Sequence, residues 1–393
     1  GQLIGRDVSR DLSQMNPSGF RDGLTGNGVC AMEKKNRRPT RRVKVGPLFI
    51  GGGGPVLVQS MTNTDTRDHE ATLKQIHDLA AAGCELVRVA VPDQEALPAL
   101  EKIVDGSPLP VIADIQFDYR LALGALDAGV AKLRINPGNI GGPQRGKEVA
   151  RAAAAHGAAI RVGVNAGSLP RKLLAEKKGD IVEAMLAALE EQLRLLLDEG
   201  FAEIVVSLKS SVVTETIAAC RAFAARWDLP QHLGVTEAGA GRSGLIKSAV
   251  GLGVLLEEGI GDTIRVSLTG DPVQEVTTAY EILKALSLRE RGPVIVSCPT
   301  CARCNINIEE LVAAVEKATA GIATPLHLAV MGCMVNGPGE ASRADLGLAG
   351  GKNEGVIFRR GKIIRCVRKE DLLPAFLEEL EKLITGKNSG FTP

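Results

Sequence analysis

The sequence predicts an α/β fold, a closed TIM-type (β/α)8 barrel followed by a small α+β domain, and three observations carry that prediction. Residues 55 to 268 repeat one unit: a short β-branched run ending in polar residues, a turn, then a longer stretch of helical periodicity. The unit supplies eight strand candidates, the count at which a parallel sheet closes on itself. A doubly wound open sheet gives similar local signals, so the strand count makes the choice. After Arg291-Gly292-Pro293 the repeat stops and strands and helices follow in mixed order. With 393 residues the chain accommodates a barrel of roughly 250 residues and a second module of about 100.

The elements follow in order. Residues 1 to 31 are polar, mixed in charge and without periodicity, and are expected to be a disordered upstream extension before a native start near Met32. The basic run Lys34, Lys35, Arg37, Arg38, Arg41 and Arg42 reads as a solvated terminus, and the extension is set at residues 1–40. Val43 to Ile50, turning at Gly46-Pro47, reads as a hairpin closing the bottom of a barrel spanning residues 41–290. Gly51 to Gly54 precede a strand instead of joining a strand end to a helix start, so they read as a turn and not as a phosphate cradle.

The barrel strands are Val56 to Ser60, Leu86 to Val91, Val111 to Gln116, Lys132 to Asn136, Ala159 to Asn165, Glu203 to Lys209, Leu233 to Glu237 and Thr263 to Leu268. Amphipathic stretches such as Glu70 to Ala82, Ile181 to Glu199, Val213 to Arg226 and Ser248 to Glu258 are long enough to be crossover helices. In residues 291–393 the reading gives strands at Val294 to Ser297 and Leu326 to Met331, and a helix at Ile308 to Thr319. A hairpin of Val356 to Arg360 and Lys362 to Val367 and a helix from Lys369 to Thr385 complete it.

Composition narrows the function. A formal net charge of +1 leaves no bulk field to draw the protein onto nucleic acid or membrane, and 3% aromatic residues offer few platforms for stacking bases. No apolar run approaches the roughly 20 residues that cross a bilayer, so a cytoplasmic protein is expected. Eight cysteines in so long a chain do not make a disulfide framework; clustered ones point to metal or catalysis. Cys30, Cys84, Cys220 and Cys366 stand alone and read as ordinary thiols.

In a barrel of this kind the active site is built from the C-terminal strand ends. Those ends supply Arg88, Asp114, Arg134, Asn136, Arg161, Asn165, Ser207, Lys209, Glu237, Arg265 and Ser267. Four Arg and one Lys from five strands need an anion to offset their repulsion, and a phosphate or diphosphate ester suits Arg forks. Glu237 is the conspicuous carboxylate there, an acid suited to exchanging protons with a substrate hydroxyl. None of the five histidines falls in a hydrolytic triad or a zinc-protease helix.

The last quarter carries Cys298-Pro299-Thr300-Cys301-Ala302-Arg303-Cys304, then Cys333 and Glu340 on a glycine-rich loop. Zinc accepts such a set, but proline beside a ligand cysteine and the C-x2-C-x2-C run favour iron-sulfur. Two arrangements stay open: Cys298, Cys301, Cys304 and Cys333 as an all-thiolate site suited to electron storage, or Cys298, Cys301, Cys333 and Glu340. The second gives one iron a harder, more labile oxygen ligand and so suits catalysis.

These residues resemble the 4-hydroxy-3-methylbut-2-enyl diphosphate synthase family of the non-mevalonate isoprenoid pathway. The likeness spans about residues 36 to 385. It is carried by Val58 to Thr64, Val87 to Val89, Leu133 to Asn139, Arg161 to Leu169, Gly234 to Gly239, Gly261 to Thr269 and both cysteine motifs. The resemblance implies a barrel followed by a ferredoxin/sulfite-reductase-like iron-sulfur domain, with a 4Fe-4S cluster on Cys298, Cys301, Cys333 and Glu340. It implies diphosphate recognition by Arg88, Arg134, Arg161, Asn165, Lys209, Arg265 and Ser267, with Glu237 as the acid near the carbon 3 hydroxyl. The implied substrate is 2-C-methyl-D-erythritol 2,4-cyclodiphosphate, reduced by two electrons with ring opening and loss of water. Ferredoxin or flavodoxin would be the electron donor, since no flavin or nicotinamide fingerprint appears. A homodimer is implied in which each cluster domain caps the partner's barrel. Two positions depart from the family pattern: Ala302-Arg303-Cys304 follows the second cysteine in place of Gly-Arg, and Gln116 stands where many members have His.

Overall fold

The structure is a computed structural model that describes residues 37–136, 139–334 and 341–388. The expected extension, apart from residues 37–40, and the Glu340 position lie outside the described residues.

A hairpin of β1 (Val43–Val45) and β2 (Leu48–Ile50) opens the chain, with Gly46 at φ 57° in its turn. The repeat then runs β3 (Leu57–Met61), α1 (His69–Ala82), β4 (Leu86–Ala90), α2 (Leu97–Gly106), β5 (Val111–Asp114), α3 (Tyr119–Asp127), β6 (Lys132–Ile135) and α4 (Pro143–His156). It continues through β7 (Ala159–Asn165), α5 (Arg171–Glu176), α6 (Ile181–Leu197), β8 (Ile204–Lys209), α7 (Val213–Arg226), β9 (His232–Leu233), α8 (Gly241–Glu257), β10 (Thr263–Ile264) and α9 (Pro272–Ala285). Local chemistry sets the helix ends: Asp68 caps α1 by accepting the Ala71 N–H, and Gly83 ends it at φ 102°.

The eight parallel strands are ordered β8-β7-β6-β5-β4-β3-β10-β9. A parallel bridge between Val206 and Gln231, with the Val206 N–H donating to Pro230 O at 2.9 Å, joins the two edges and closes the barrel. The period-2 alternation of each strand explains its two faces. Leu57, Leu86, Ile112, Ala159 and Val205 point inward at the bottom, where Val43, Val45 and Ile50 of the hairpin pack on them as a plug. The opposite faces pack against the helices in the main core.

Two strands are shorter than the sequence suggests. Pairing stops at Leu233 and Ile264, although Arg265 N still donates to Leu233 O at 3.0 Å. Beyond Leu233 the chain turns: Gly234 lies against the Arg265 carbonyl, and Glu237 has φ 51°.

The remaining chain forms β11 (Pro293–Ser297), α10 (Ile308–Thr319), β12 (Leu326–Met331), β13 (Leu346–Gly350), β14 (Glu354–Arg359), β15 (Lys362–Arg368) and α11 (Leu372–Asn388). They make a mixed sheet in that strand order: β11, β12 and β13 run parallel, while β13-β14 and β14-β15 are antiparallel. Val315 of α10 and Phe376 of α11 pack with Leu328, Val330 and Ile357 of the sheet.

Candidate active site

The interior alternation that plugs the barrel bottom places charge at its mouth. Two residues along from Leu86, Ile112, Lys132, Ala159 and Val205 stand Arg88, Asp114, Arg134, Arg161 and Ser207, and Lys209 follows Ser207 on β8. With Asn165, Arg265 and Ser267 they line one cavity of about 210 Å³, together with Gln116 and Thr236. All seven residues expected to grip an anion are brought to that cavity. Asp114, Arg134 and Arg161 are direct cross-strand neighbours on β5, β6 and β7.

Two carboxylates face the five cations. Asp114 meets Arg134 Nη1 at 3.2 Å and Arg88 Nε at 3.6 Å. Glu275, in the first turn of α9, meets Arg265 Nε at 3.2 Å and accepts hydrogen bonds from Ser60 Oγ at 3.1 Å and Leu268 N at 3.0 Å. Met61 Sδ accepts from Arg88 Nη2 at 2.9 Å. Donors remain without partners: Arg161 Nε and Nη1 and Arg134 Nε are buried and make no hydrogen bond. Buried, unpartnered, cationic donors of this kind are costly unless an anion completes them.

Burial and crowding pull the site's protons outward. Desolvation, with Arg265 and Arg134 adding to it, lowers Arg88 to about 10 against the help of Asp114. Desolvation first, then the neighbouring arginines, pushes Arg161 and Lys209 well below their ordinary values. Burial alone would raise Asp114, but Arg88, Arg134 and Arg161 together hold it below the usual carboxylate range.

Gly234 makes room for the ammonium of this set. A Cβ there would lie 2.5 Å from Lys209 Nζ and 2.8 Å from the Arg265 carbonyl oxygen. Glu237 is exposed beside the mouth, next to the lining residue Thr236, and is not itself among the lining residues. Its φ of 51° is uncommon for a residue with a Cβ and is the kind of backbone strain that gathers at working sites.

The cysteine motifs meet at the ends of β11 and β12, which are paired strands. Cys298 Sγ accepts a hydrogen bond from Gly332 N at 3.1 Å, and Cys304 N donates to Cys301 O at 2.9 Å. A Cβ on Gly332 would lie 2.5 Å from Cys304 Sγ and 3.5 Å from Cys298 Sγ, so only glycine leaves space for both sulfurs. Cys333, next in the chain, is buried and Cys301 is exposed. Among the described residues no three His, Cys, Asp or Glu side chains are arranged to hold a metal ion. Cys84 and Cys220, by contrast, are buried thiols that desolvation pushes up to about 12.

The family model of the GcpE TIM-barrel domain matches residues 40–280, and that of the GcpE protein C-terminal domain matches residues 294–382. The chain belongs to the GcpE family. A relative from Lawsonia intracellularis is 55% identical over 354 residues, covering 90% of this chain and 99% of its own length. A relative from Geobacter sulfurreducens is 54% identical over 349 residues, covering 89% of this chain and 99% of its own length. Both proteins are called 4-hydroxy-3-methylbut-2-en-1-yl diphosphate synthase (flavodoxin). The GcpE barrel match ends within α9, and the C-terminal match opens within β11.

Three contributors to the GcpE mouth escaped sequence reading: Glu275, Met61 and Thr236. Glu275 sits on a helix, where its only local signal is its place in the first turn. Closure of the barrel, which no local pattern encodes, brings α9 against β3.

Proposed function

We propose that this chain is a 4-hydroxy-3-methylbut-2-en-1-yl diphosphate synthase that opens the ring of 2-C-methyl-D-erythritol 2,4-cyclodiphosphate, with two electrons consumed and water lost. The observation that supports the reading best is the convergence of Arg88, Arg134, Arg161, Lys209 and Arg265 on one cavity, with buried guanidinium donors left open. Together with relatives of that name at 55% and 54% identity, it favours a diphosphate over any neutral ligand.

In this reading Arg134 and Arg161 grip diphosphate oxygens through their open donors, and Lys209 adds a point charge. Asn165 and Ser267 supply neutral hydrogen bonds that fix orientation. Glu237, on its strained turn at the rim, exchanges a proton with the carbon 3 hydroxyl so that it departs as water. Asp114 and Glu275 hold the guanidinium forks in place before substrate arrives.

Cys298, Cys301, Cys333 and Glu340 are the residues that would hold a 4Fe-4S cluster. The donor chemistry fits: thiolates at C-x2-C spacing, and an N–H from Gly332 aimed at Cys298 Sγ of the kind that tunes cluster potentials. When bound, such a cluster supplies electrons one at a time. Flavodoxin, the donor in the relatives' names, is the electron source, with ferredoxin as the alternative. The protein acts in the cytoplasm as a homodimer in which the C-terminal domain of one copy caps the barrel of the other. No helix among the described residues is long and apolar enough to cross a membrane.

The test is anaerobic iron and sulfide analysis of the purified protein, with a spectroscopic redox titration with and without the cyclic diphosphate. Four iron and four sulfide per chain, with a signal that shifts on substrate addition, are expected. A colourless protein holding zinc would overturn the redox reading.

A further inference from the structure

Cys304 has no role in the proposed ligand set, yet its sulfur stands beside one that does. Cys298 Sγ and Cys304 Sγ approach the same point above Gly332, which places the two sulfurs within about 6 Å of each other, close enough for side-chain rotation to bring them together. The backbone bond from Cys304 N to Cys301 O turns the chain over residues 301–304. Cys301 enters through its carbonyl alone: it is exposed, and its sulfur is not among the three atoms nearest a Cβ on Gly332. Cys304 Sγ donates at 3.2 Å to Ile306 O, a single neutral hydrogen bond that rotation releases at little cost.

We propose that Cys298 and Cys304 are a disulfide-forming pair in the cluster-free chain, with Cys304 as the resolving thiol. The inference rests on the proposed role of Cys298 as a cluster ligand. The oxidant is a low-molecular-weight disulfide. One protein thiolate attacks it, releasing one small thiol and leaving a mixed disulfide. The second protein thiolate then displaces the other small thiol and closes the bond. The protein loses two electrons and two protons, and the small disulfide becomes two thiols. The bond removes Cys298 from the ligand set and shields it from the irreversible oxidations that follow sulfenic acid. A dithiol reductant returns both thiols and with them the capacity to take up a cluster.

Trypsin makes the pair readable, because Arg303 lies between the two cysteines. Cluster-free full-length protein is exposed to oxidised glutathione, alkylated and digested. The expected result is peptide 292–303, carrying one alkyl group on Cys301, joined to peptide 304–317 with the loss of two hydrogens, and Cys333 alkylated in peptide 318–343. The linkage persists in Cys301→Ser, is lost in Cys298→Ser and reverses with dithiothreitol. Oxidised wild-type protein takes up iron and sulfide only after reduction. A bond confined to Cys298 and Cys301, with Cys304 alkylated, would overturn the proposal, as would a linkage that Cys301→Ser removes. Circular dichroism of each variant excludes misfolding as the cause. Should the reduced protein load no iron-sulfur cluster while the linkage still forms, the cluster reading fails and the disulfide pair stands.

Discussion

Gly234 and Lys209 are built around each other: the space a Cβ would take on Gly234 ends 2.5 Å from the Lys209 ammonium nitrogen. Gly234→Ala therefore displaces the primary amine that lines the anion cavity, and its Cβ also presses on the Arg265 backbone carbonyl at 2.8 Å. The expected outcome is a weakening of inorganic pyrophosphate binding by roughly tenfold, in line with one charge-assisted hydrogen bond, with circular dichroism close to wild type and a lowered melting transition from the contact with the Arg265 carbonyl. Unchanged affinity by calorimetry would mean that Lys209 makes no contact with the anion.

The same crowding couples binding to protons. Burial, followed by Arg161, Arg88, Arg265 and Arg134, holds the Lys209 pKa well below its ordinary value, so the empty site penalises the charged ammonium. A bound anion offsets that penalty, so binding takes up a proton and affinity falls as pH rises. Calorimetry of pyrophosphate binding in two buffers of different ionisation enthalpy reads the uptake directly. Lys209→Met should reduce it, since Arg161 is lowered by the same crowding, and equal uptake by wild type and variant would remove Lys209 from the coupling.

Glu237 separates chemistry from binding. It stands exposed at the rim, outside the cavity lining, in a backbone conformation costly for a residue with a Cβ. Glu237→Gln keeps size and hydrogen bonding but loses proton exchange. Pyrophosphate affinity and cluster content are expected to stay, and turnover to drop by about two to four orders of magnitude. Turnover near wild type would remove Glu237 from the mechanism.

How far the sequence could be read depended on whether the signal was local. Alternation along β7 and β8 announced both the inward faces and the polar ends, so Arg161, Asn165, Ser207 and Lys209 were legible as a set. The strand β13 was not, because Leu346–Gly350 is a five-residue run with glycine at two positions, a composition that strands disfavour. It is a strand because β12 and β14 pair with it on both sides. Glu275 was hidden for a related reason: its partner Ser60 is 215 residues away and comes within reach only when β3 pairs with β10, the strand that leads into α9. Spacing identified the cysteines, but the crowding of two sulfurs over Gly332 is a three-dimensional fact.

Lys132 extends the barrel's charge below the mouth and gives the last prediction. It lies two residues before Arg134 on β6, fully buried, and its Nζ has no hydrogen-bond partner. Burial, then Arg161 and Arg88, pushes its pKa well below 10.5. The unfolded chain keeps that proton as pH falls from 10.5, while the folded chain resists it, so the unfolded state binds more protons and stability declines on acidification. The decline runs from the unfolded pKa down to the lowered folded one, and above both values the term vanishes. Lys132→Met replaces the amine with an apolar chain of similar length. It should raise stability at neutral pH by about 1–3 kcal/mol, the scale for an unsatisfied buried polar group. Denaturant titrations across pH should show a shallower dependence for the variant, its advantage narrowing toward the alkaline end to the cost of the unpartnered neutral amine alone. A variant less stable than wild type at neutral pH would show instead that ordered solvent satisfies the Lys132 amine inside the barrel.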